Sequence, residues 1–457
     1  MQIGPAFRRF GAPLGLVALL VSGCSLAEDD ASTPPTTAPA PDDSAAATEN
    51  TSPTEPEVSD PSTDTDTDSS DRQPQADAVS LADLAGQILY RDTNGAIVVS
   101  SPTGANSVTL NDPDVAAMNA QPTWSSDGSR VAWASLSAAG PMVTTAAADG
   151  SDRLGVQAPT PAFFLAWSPD DSTIAALGPN PQGVELFFLD NTDDAITRVG
   201  SGQPFFIDWA SNTSLTSAVN GTILADIPTE SIDLTGRELP NPLGPFQAPA
   251  VLGPDETLVA LANGASNDVA ILGGAEGTDA RTIALAPGPV TFSPNPVNDT
   301  VAILVNADTG QSQVIAFQIQ SPVALTPNRV SIVDTNTGDV ETVNIEGALA
   351  TQWSPDGTTL AILLAQERGL EWRFVRDGVV LQGDPFIPSQ EFFNSYVPFA
   401  DQYERSSTWW SPDSRAMVFS GSIDGDDGVW VDLVDDGRAA IRVAEGDIAF
   451  WSPASRG

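Results

Sequence analysis

The sequence predicts an all-β protein, a β-propeller of four-stranded blades, and three observations support this. A Trp-Ser-Pro-Asp-Gly-like turn followed by a short apolar stretch recurs eight times within residues 81–457. Most neighbouring copies are 40 to 43 residues apart, which matches the ~40 to 45 residues of a propeller blade. The chain has strand-like segments before the first copy and stops just after the last, so its two ends complement each other.

Each copy carries one anchoring residue, usually aromatic. The anchors are Trp124, Trp167, Trp209, Leu252, Phe292, Trp353, Trp410 and Trp451. Pro and Asp favour a tight turn and Gly tolerates positive φ, so the motif joins two antiparallel strands. We expect the aromatic anchors to wedge between blades as core residues, with ligand stacking as the lesser alternative; this applies to Trp124, Trp167, Trp209, Trp353 and Trp451.

The ring is expected to close through its two ends. Segments 87–90, 96–100 and 107–110 read as strands without an anchor, and 448–451 reads as a strand with one. Pairing the C-terminal strand with the N-terminal blade leaves no free edges. This predicts eight blades, or seven if the degenerate copy at Leu252 is absorbed by its neighbours.

The copies at Trp124, Trp167, Trp353 and Trp410 resemble the repeats of TolB-type and related WD-like propellers, in which a WSPDG turn precedes an IAF-like strand. Other copies lack the tryptophan or the intact turn and are blades by spacing more than by motif. The resemblance implies a rigid disc that binds other molecules at its rims or central channel. It does not name a ligand, because function depends on the loops of a fold.

Residues 1–23 read as a lipoprotein signal peptide. Arg8 and Arg9 precede an apolar run at 15–21 that is too short for a permanent membrane span. Val-Ser-Gly then leads into Cys24, the only cysteine, and this resembles a bacterial lipobox. We therefore expect Cys24 to carry diacylglycerol and palmitate, and to anchor the protein to a cell membrane, facing outside the cytoplasm. A buried cysteine after an ordinary cleavage site is the alternative.

Residues 24–80 are predicted to form a disordered linker. They are rich in Ser, Thr, Pro and Asp, with fourteen acidic residues and one basic residue, Arg72. So little apolar surface cannot offset the entropy of ordering the chain. The linker would hold the folded part, residues 81–457, away from the lipid.

The charge and the missing residue types exclude several functions. Residues 81–457 contain 46 acidic residues, 15 arginines and neither lysine nor histidine, a formal charge of −31. Phosphate binding needs clustered cations, so nucleic acid is not an expected partner. Without His and Lys, imidazole bases, His-built zinc sites, Schiff bases and P-loop lysines are all absent. No cofactor is expected.

Two adjacent repeats are overlong, and the second contains an aromatic-rich insertion around 366–409. Such excess loops often carry binding sites. The candidate interface residues are Phe392, Phe393, Tyr396, Phe399, Tyr403 and Arg373, which are residue types that anchor interfaces. The insertion either packs on its own propeller, which we favour, or forms an exposed patch for a protein or glycan partner.

A second candidate is the acidic turn of Asp424, Asp426 and Asp427. Its spacing is somewhat like a calcium loop, but it lacks the closing glutamate of an EF-hand. A plain hairpin turn is the preferred interpretation.

The sequence thus predicts a monomeric, membrane-anchored, non-catalytic binding or scaffold module with a protein partner in the cell envelope. One alternative is a carbohydrate-active hydrolase or lyase with a carboxylate pair in a cleft. Another is a solute-binding transport accessory with a pocket at the channel mouth.

Overall fold

The computed structural model describes residues 79–453, with gaps at 193–194, 204, 240–244, 247–250, 253–256, 263–267, 274–278, 287, 307–322, 327 and 435–436. These described residues belong to one compact unit. The predicted signal peptide, Cys24 and all but the last two residues of the predicted linker lie outside them.

The described strands, numbered in chain order, form eight sheets. Sheet 1 has β1 (Ile88–Arg91), β2 (Ile97–Ser100), β3 (Val108–Thr109) and β33 (Ile448–Trp451); sheet 2 has β4 (Ala117–Trp124), β5 (Arg130–Ser137), β6 (Gly140–Ala147) and β7 (Leu154–Gln157). Sheet 3 has β8 (Phe164–Trp167), β9 (Thr173–Asn180), β10 (Gly183–Asp190) and β11 (Ile196–Gly202); sheet 4 has β12 (Phe205–Ser211), β13 (Ser214–Val219), β14 (Thr222–Pro228) and β15 (Arg237–Glu238).

The second half of the chain forms the other four sheets. Sheet 5 has β16 (Val251–Leu252), β17 (Leu258–Ala262), β18 (Asp268–Gly273), β19 (Asp279–Leu285) and β22 (Val323–Ala324); sheet 6 has β20 (Val290–Pro294), β21 (Thr300–Val305), β23 (Val330–Asp334) and β24 (Val340–Thr342). Sheet 7 has β25 (Ala348–Trp353), β26 (Leu360–Gln366), β27 (Gly369–Arg376) and β28 (Val379–Gln382); sheet 8 has β29 (Ile387–Pro388), β30 (Ala416–Ile423), β31 (Asp426–Leu433) and β32 (Ile441–Ala444).

The predicted β-propeller fold is confirmed. Seven sheets are four-stranded antiparallel blades, and sheet 5 has four antiparallel strands plus β22, which pairs with β19 in parallel. The first strands of neighbouring sheets contact one another; for example, β4 contacts β8, and β20 contacts β25. These inner strands therefore line the centre of a ring.

The predicted closure is also confirmed. The C-terminal strand β33 pairs antiparallel with β1, from Ile88 opposite Trp451 to Arg91 opposite Ile448. Sheet 1 is thus a composite of both chain ends. The closure gives β33 a paired edge and joins the first and last blades.

The recurring turn has a local cause. Its serine hydroxyl donates to the aspartate two residues later, at 2.6 to 2.8 Å, and accepts the backbone N–H that opens the next strand, at 2.9 to 3.0 Å; the serines are Ser125, Ser168, Ser354 and Ser411. Both partners come from the motif itself. In these four copies the motif therefore specifies its own turn.

The anchoring tryptophans are core residues. Trp124, Trp167 and Trp451 are at most 5 % exposed, and Trp209 and Trp353 are half-buried. The indole N–H of Trp209 donates to the Ala166 carbonyl of the preceding sheet at 3.2 Å. Trp353 makes an equivalent bond across a sheet boundary. The tryptophans therefore join blades, as predicted.

The insertion expected around 366–409 is narrower than predicted. Its first part forms blade strands β27 and β28, and only residues 389–407, here called the channel segment, depart from the blade pattern. The prediction was wrong at this boundary because the strand Gly369–Arg376 is itself rich in aromatic and charged residues. Most of the extra length of the first overlong repeat, residues 307–322, lies outside the described residues.

Candidate functional site inside the propeller channel

The channel segment interrupts the inner strand of sheet 8 without breaking its ladder. At the start of the segment, the N–H of Ser389 donates to the Ser420 carbonyl at 3.1 Å; after the segment, the Trp409 carbonyl accepts the N–H of Val418 at 2.8 Å. Only Phe419 separates these two positions on β30. The chain therefore leaves and rejoins the strand at almost the same point, as in a compact surface loop whose ends meet.

Local sequence dictates a short helical fold for this segment. It contains a π-helical turn (Phe392–Tyr396), a 3₁₀ turn (Val397–Phe399) with proline in its first turn, and the short helix α1 (Ala400–Tyr403). Ser389 starts it, since its hydroxyl accepts the N–H of Phe392 at 3.1 Å. Polar helix-start residues favour this arrangement.

The segment reaches the inner strands of several other sheets. Its Tyr403 hydroxyl donates to the Phe163 carbonyl, just before β8, at 2.7 Å. The Ser406 carbonyl accepts from Thr123 on β4 at 2.6 Å. The Ser407 carbonyl accepts from Gln352 on β25 at 3.2 Å. Contacts with sheets 2, 3 and 7 place the segment where the inner strands converge, in the central channel.

The side chain of Gln402 bonds to the backbone of Ile207 as a neighbouring strand would. Its side-chain oxygen accepts the Ile207 N–H at 3.2 Å, and its side-chain nitrogen donates to the Ile207 carbonyl at 2.9 Å. Gln402 is buried, and Ile207 lies on the inner strand β12. The amide thus satisfies a backbone donor and acceptor that would otherwise be buried without partners.

The structure places the predicted interface residues in two groups. Phe392, Tyr396 and Tyr403 are at most 5 % exposed, with Phe392 packed against Trp409 and Tyr396 against Tyr403 and Phe450. These three rings lie buried in the channel and do not form an exposed patch; an interface role for them stays a prediction.

The other three candidates retain partial exposure. Phe393 and Phe399 are half-buried and pack against the same core. Arg373 is half-buried on β27, outside the channel segment, and forms an ion pair with Glu371. An interface role for these three residues stays a prediction.

An ion cluster holds the first end of the segment. Arg91 on β1 donates to Asp447 at 2.7 Å, to Glu391 at 2.9 Å and to the Asn119 carbonyl at 3.0 Å. Burial alone would lower the pKa of Arg91, but hydrogen bonds and charge attraction from Asp447 and Glu391 raise it above its ordinary value. This cation therefore ties sheets 1 and 2 to the segment.

The other end buries acidic groups. Asp401 is 8 % exposed, and burial raises its pKa to about 6 against the attraction of Arg405. Glu404 accepts a hydrogen bond from Ser293 of β20 at 2.7 Å. Burial also raises the pKa of Glu404 to about 8, opposed by Arg405 and Ser293. Arg405 in turn lies 3.6 Å from Asp208 of β12.

The carboxyl groups at this acidic end are enclosed by protein and do not line an open cleft. Glu404 keeps some exposed area, yet its Oε2 atom is inaccessible and has no hydrogen-bond partner. A glycosidase pair would need room for a sugar between two carboxyl groups. Its buried carboxyl groups can bind protons and help to hold the segment in place.

A separate depression of about 610 Å³ lies on the face that carries the Trp-Ser-Pro-Asp turns. It spans sheets 6, 7 and 8. Its lining includes Asn298, Glu341, Trp353, Arg376, Asp413 and Arg415. Of these, the tryptophan and the arginines are residue types enriched at protein interfaces.

The acidic turn predicted as a weak metal candidate is a hairpin. Asp424 and Gly425 have positive φ, and Ile423 pairs with Asp426 on either side of them. A two-residue turn of this kind favours Asp-Gly. Among the residues that the structure describes, no group of three or more His, Cys, Asp or Glu side chains is placed to hold a metal ion.

Comparison with solved structures supports the fold. A dehydrogenase acting on dihydro-heme d1, NirN, matches at a TM-score of 0.54 and 12 % identity, over 83 % of this chain and 77 % of that one. A eukaryotic initiation factor matches at 0.52 and 11 % identity, over 81 % and 99 %. At such identities the likeness concerns the fold alone. No protein-family model and no curated protein matches the chain.

The class of protein is therefore a β-propeller. TolB from Acinetobacter baumannii is among the matching structures, with 12 % identity over 81 % of this chain and 67 % of that one. Its TM-score of 0.36 is too low to assign a shared role. In the described part of the chain, no helix has the length and apolar character needed to cross a membrane.

Proposed function

We propose that this protein is a membrane-anchored, non-catalytic propeller module that binds a protein partner in the cell envelope. The observation that carries the proposal is the occupied channel. The central position of the ring, where a propeller could hold a small substrate, contains the chain's own residues 389–407. Its rims and turn-face loops remain as the surfaces for recognition.

The depression on the turn face is the surface we assign to the partner. It combines the half-buried ring of Trp353 with Arg415, whose side chain is 43 % exposed. Tryptophan and arginine contribute most to protein interfaces when a partner desolvates them. A depression formed by loops of three blades also presents several independent contacts on one rigid support.

The anchor and the location complete the proposal. A lipid on Cys24 would place the propeller outside the cytoplasm, on a linker long enough for it to meet membrane-associated partners. The domain's negative charge favours a partner surface that is neutral or basic.

Crosslinking in membranes tests the proposal. The full chain, an Arg415→Glu variant and an Asp149→Asn control are crosslinked and co-purified proteins are identified; Asp149 lies in an exposed turn distant in sequence from the depression. We expect one enriched partner with the native chain and the control, and at least a tenfold loss with Arg415→Glu. Equal recovery with all three would overturn the assignment of the depression, and no enriched protein would overturn the binding function.

A catalytic alternative has its own readout. Turnover of an envelope glycan by the purified chain, abolished by Asp401→Asn or Glu404→Gln, would replace the binding function with hydrolysis.

A further inference from the structure

Residues 389–407 have the features of a part that can move. They rejoin their strand one ladder position from where they left it, so the blade's own pairing does not depend on them. The segment's hydrogen bonds to the other sheets involve side chains, as those of Thr123, Tyr403 and Gln402 show, and its buried rings add packing. The segment can therefore move only if the groups buried at its end favour release over this packing.

The free-energy cost of holding the segment in the channel, here called seating, is greatest at its acidic end. Asp401 and Glu404 lie within four residues of each other, and Asp208 of β12 faces them from the channel wall. The one cation among these groups is Arg405, whose Nη2 atom and the Glu404 Oε2 atom are both buried without a partner. Charged carboxylates in such an environment pay a desolvation cost that one arginine does not offset.

We propose that the channel segment is a movable plug, seated in the propeller when the carboxyl groups at its acidic end are uncharged and loosened when they ionise. The charge balance supports this. With Asp401 and Glu404 neutral, Arg405 and Asp208 form a matched pair. With both ionised, three carboxylates share one guanidinium.

The direction of the pH dependence follows from the shifts. In water the two carboxyl groups have ordinary pKa values of 3.8 and 4.5; in the seated segment these are about 6 and about 8. Seating therefore takes up protons. Its stabilisation is full below the ordinary values and is lost as pH rises through about 6 and then about 8.

The first end of the segment behaves differently. Arg91 forms ion pairs there with Glu391 and Asp447, whose carboxylates are partly exposed to solvent. This end stays attached while the acidic end loosens. The rings of Tyr396 and Tyr403 are then the parts that gain exposure.

Hydrogen exchange on the full chain tests the proposal. Amide exchange of the channel segment, corrected for the intrinsic effect of pH, is compared at about pH 5 and about pH 8, with β9 as an internal reference. Each pH unit can weaken seating up to tenfold per proton, so we expect at least roughly tenfold faster exchange at the higher pH, with β9 unchanged.

Neutral variants provide the matched control. Asp401→Asn combined with Glu404→Gln keeps the shape of both side chains and should reduce the pH effect to below roughly threefold. Asp149→Asn, in an exposed turn, should leave it intact. Equal protection of the segment at both pH values would overturn the proposal, as would a pH effect that persists in the double variant or extends to β9.

Discussion

Gln402 offers the sharpest test of how the segment is held. Replacing it with methionine keeps the length of the side chain but removes both bonds to Ile207. The Ile207 N–H and carbonyl then stay buried without partners. A buried donor or acceptor left unsatisfied costs about 1 to 3 kcal/mol, so stranding both Ile207 groups should weaken the binding of the segment in the channel by about 2 to 6 kcal/mol.

The assay is local hydrogen exchange at about pH 5, where the acidic end is seated. A loss of this size corresponds to at least roughly 30-fold faster exchange in the channel segment. Ile207 itself should lose protection, because its N–H donates to Gln402. The control is Gln157→Met, since Gln157 makes one exposed side-chain bond to Pro141. A change below roughly threefold in Gln402→Met would refute the idea that this amide secures the segment.

Three further predictions concern the frame around the segment. Arg91→Met should lower the free energy of unfolding by about 2 to 3 kcal/mol, less than for a fully buried ion pair because its partners are partly exposed; urea unfolding measures it. Ser354→Ala should cost about 1 to 2 kcal/mol in the same assay, because its hydroxyl both donates and accepts within its turn. Gly421→Ala would place a Cβ 2.3 Å from the Ile387 carbonyl, so it should displace β29 and lower the unfolding midpoint clearly.

Each of these has a matched control. Arg153→Met removes an exposed pair at 3.4 Å and should change stability by less than about 1 kcal/mol. Ser151→Ala, in an exposed turn, is the control for Ser354→Ala. Gly155→Ala is the control for Gly421→Ala, because the new Cβ meets mainly the flexible end of Met142. Variants that match their controls within error would contradict the roles given to Arg91, Ser354 and Gly421.

The repeats predicted the fold well because their causes are local. The Ser354 turn, for example, is specified by partners within five residues, and the copies at Ser125, Ser168 and Ser411 form it as well. The closure of β33 on β1 followed from the complementary ends of the chain. The parallel strand β22 was not predicted, since Val323–Ala324 is too short to give a pattern.

The location of the channel segment could not be predicted in the same way. Gln402 and Ile207 are 195 residues apart, and Tyr403 and Phe163 are 240 apart. Composition correctly marked the aromatic cluster as unusual and favoured packing over exposure. It could not indicate that the rings pack inside the ring of blades, nor that Asp401 and Glu404 matter, because two acids among sixty carry no signal.

Residues 389–407 fill the channel, and hydroxyl-radical footprinting at about pH 5 tests this most directly. Oxidation of Tyr396 and Tyr403 in the folded chain is compared with the urea-unfolded chain, with Trp133, 2 % exposed, as the buried reference. We predict that both tyrosines are protected at least tenfold, as Trp133 is. Tyrosines oxidised as fast as in the unfolded chain, while Trp133 stays protected, would contradict the filled channel.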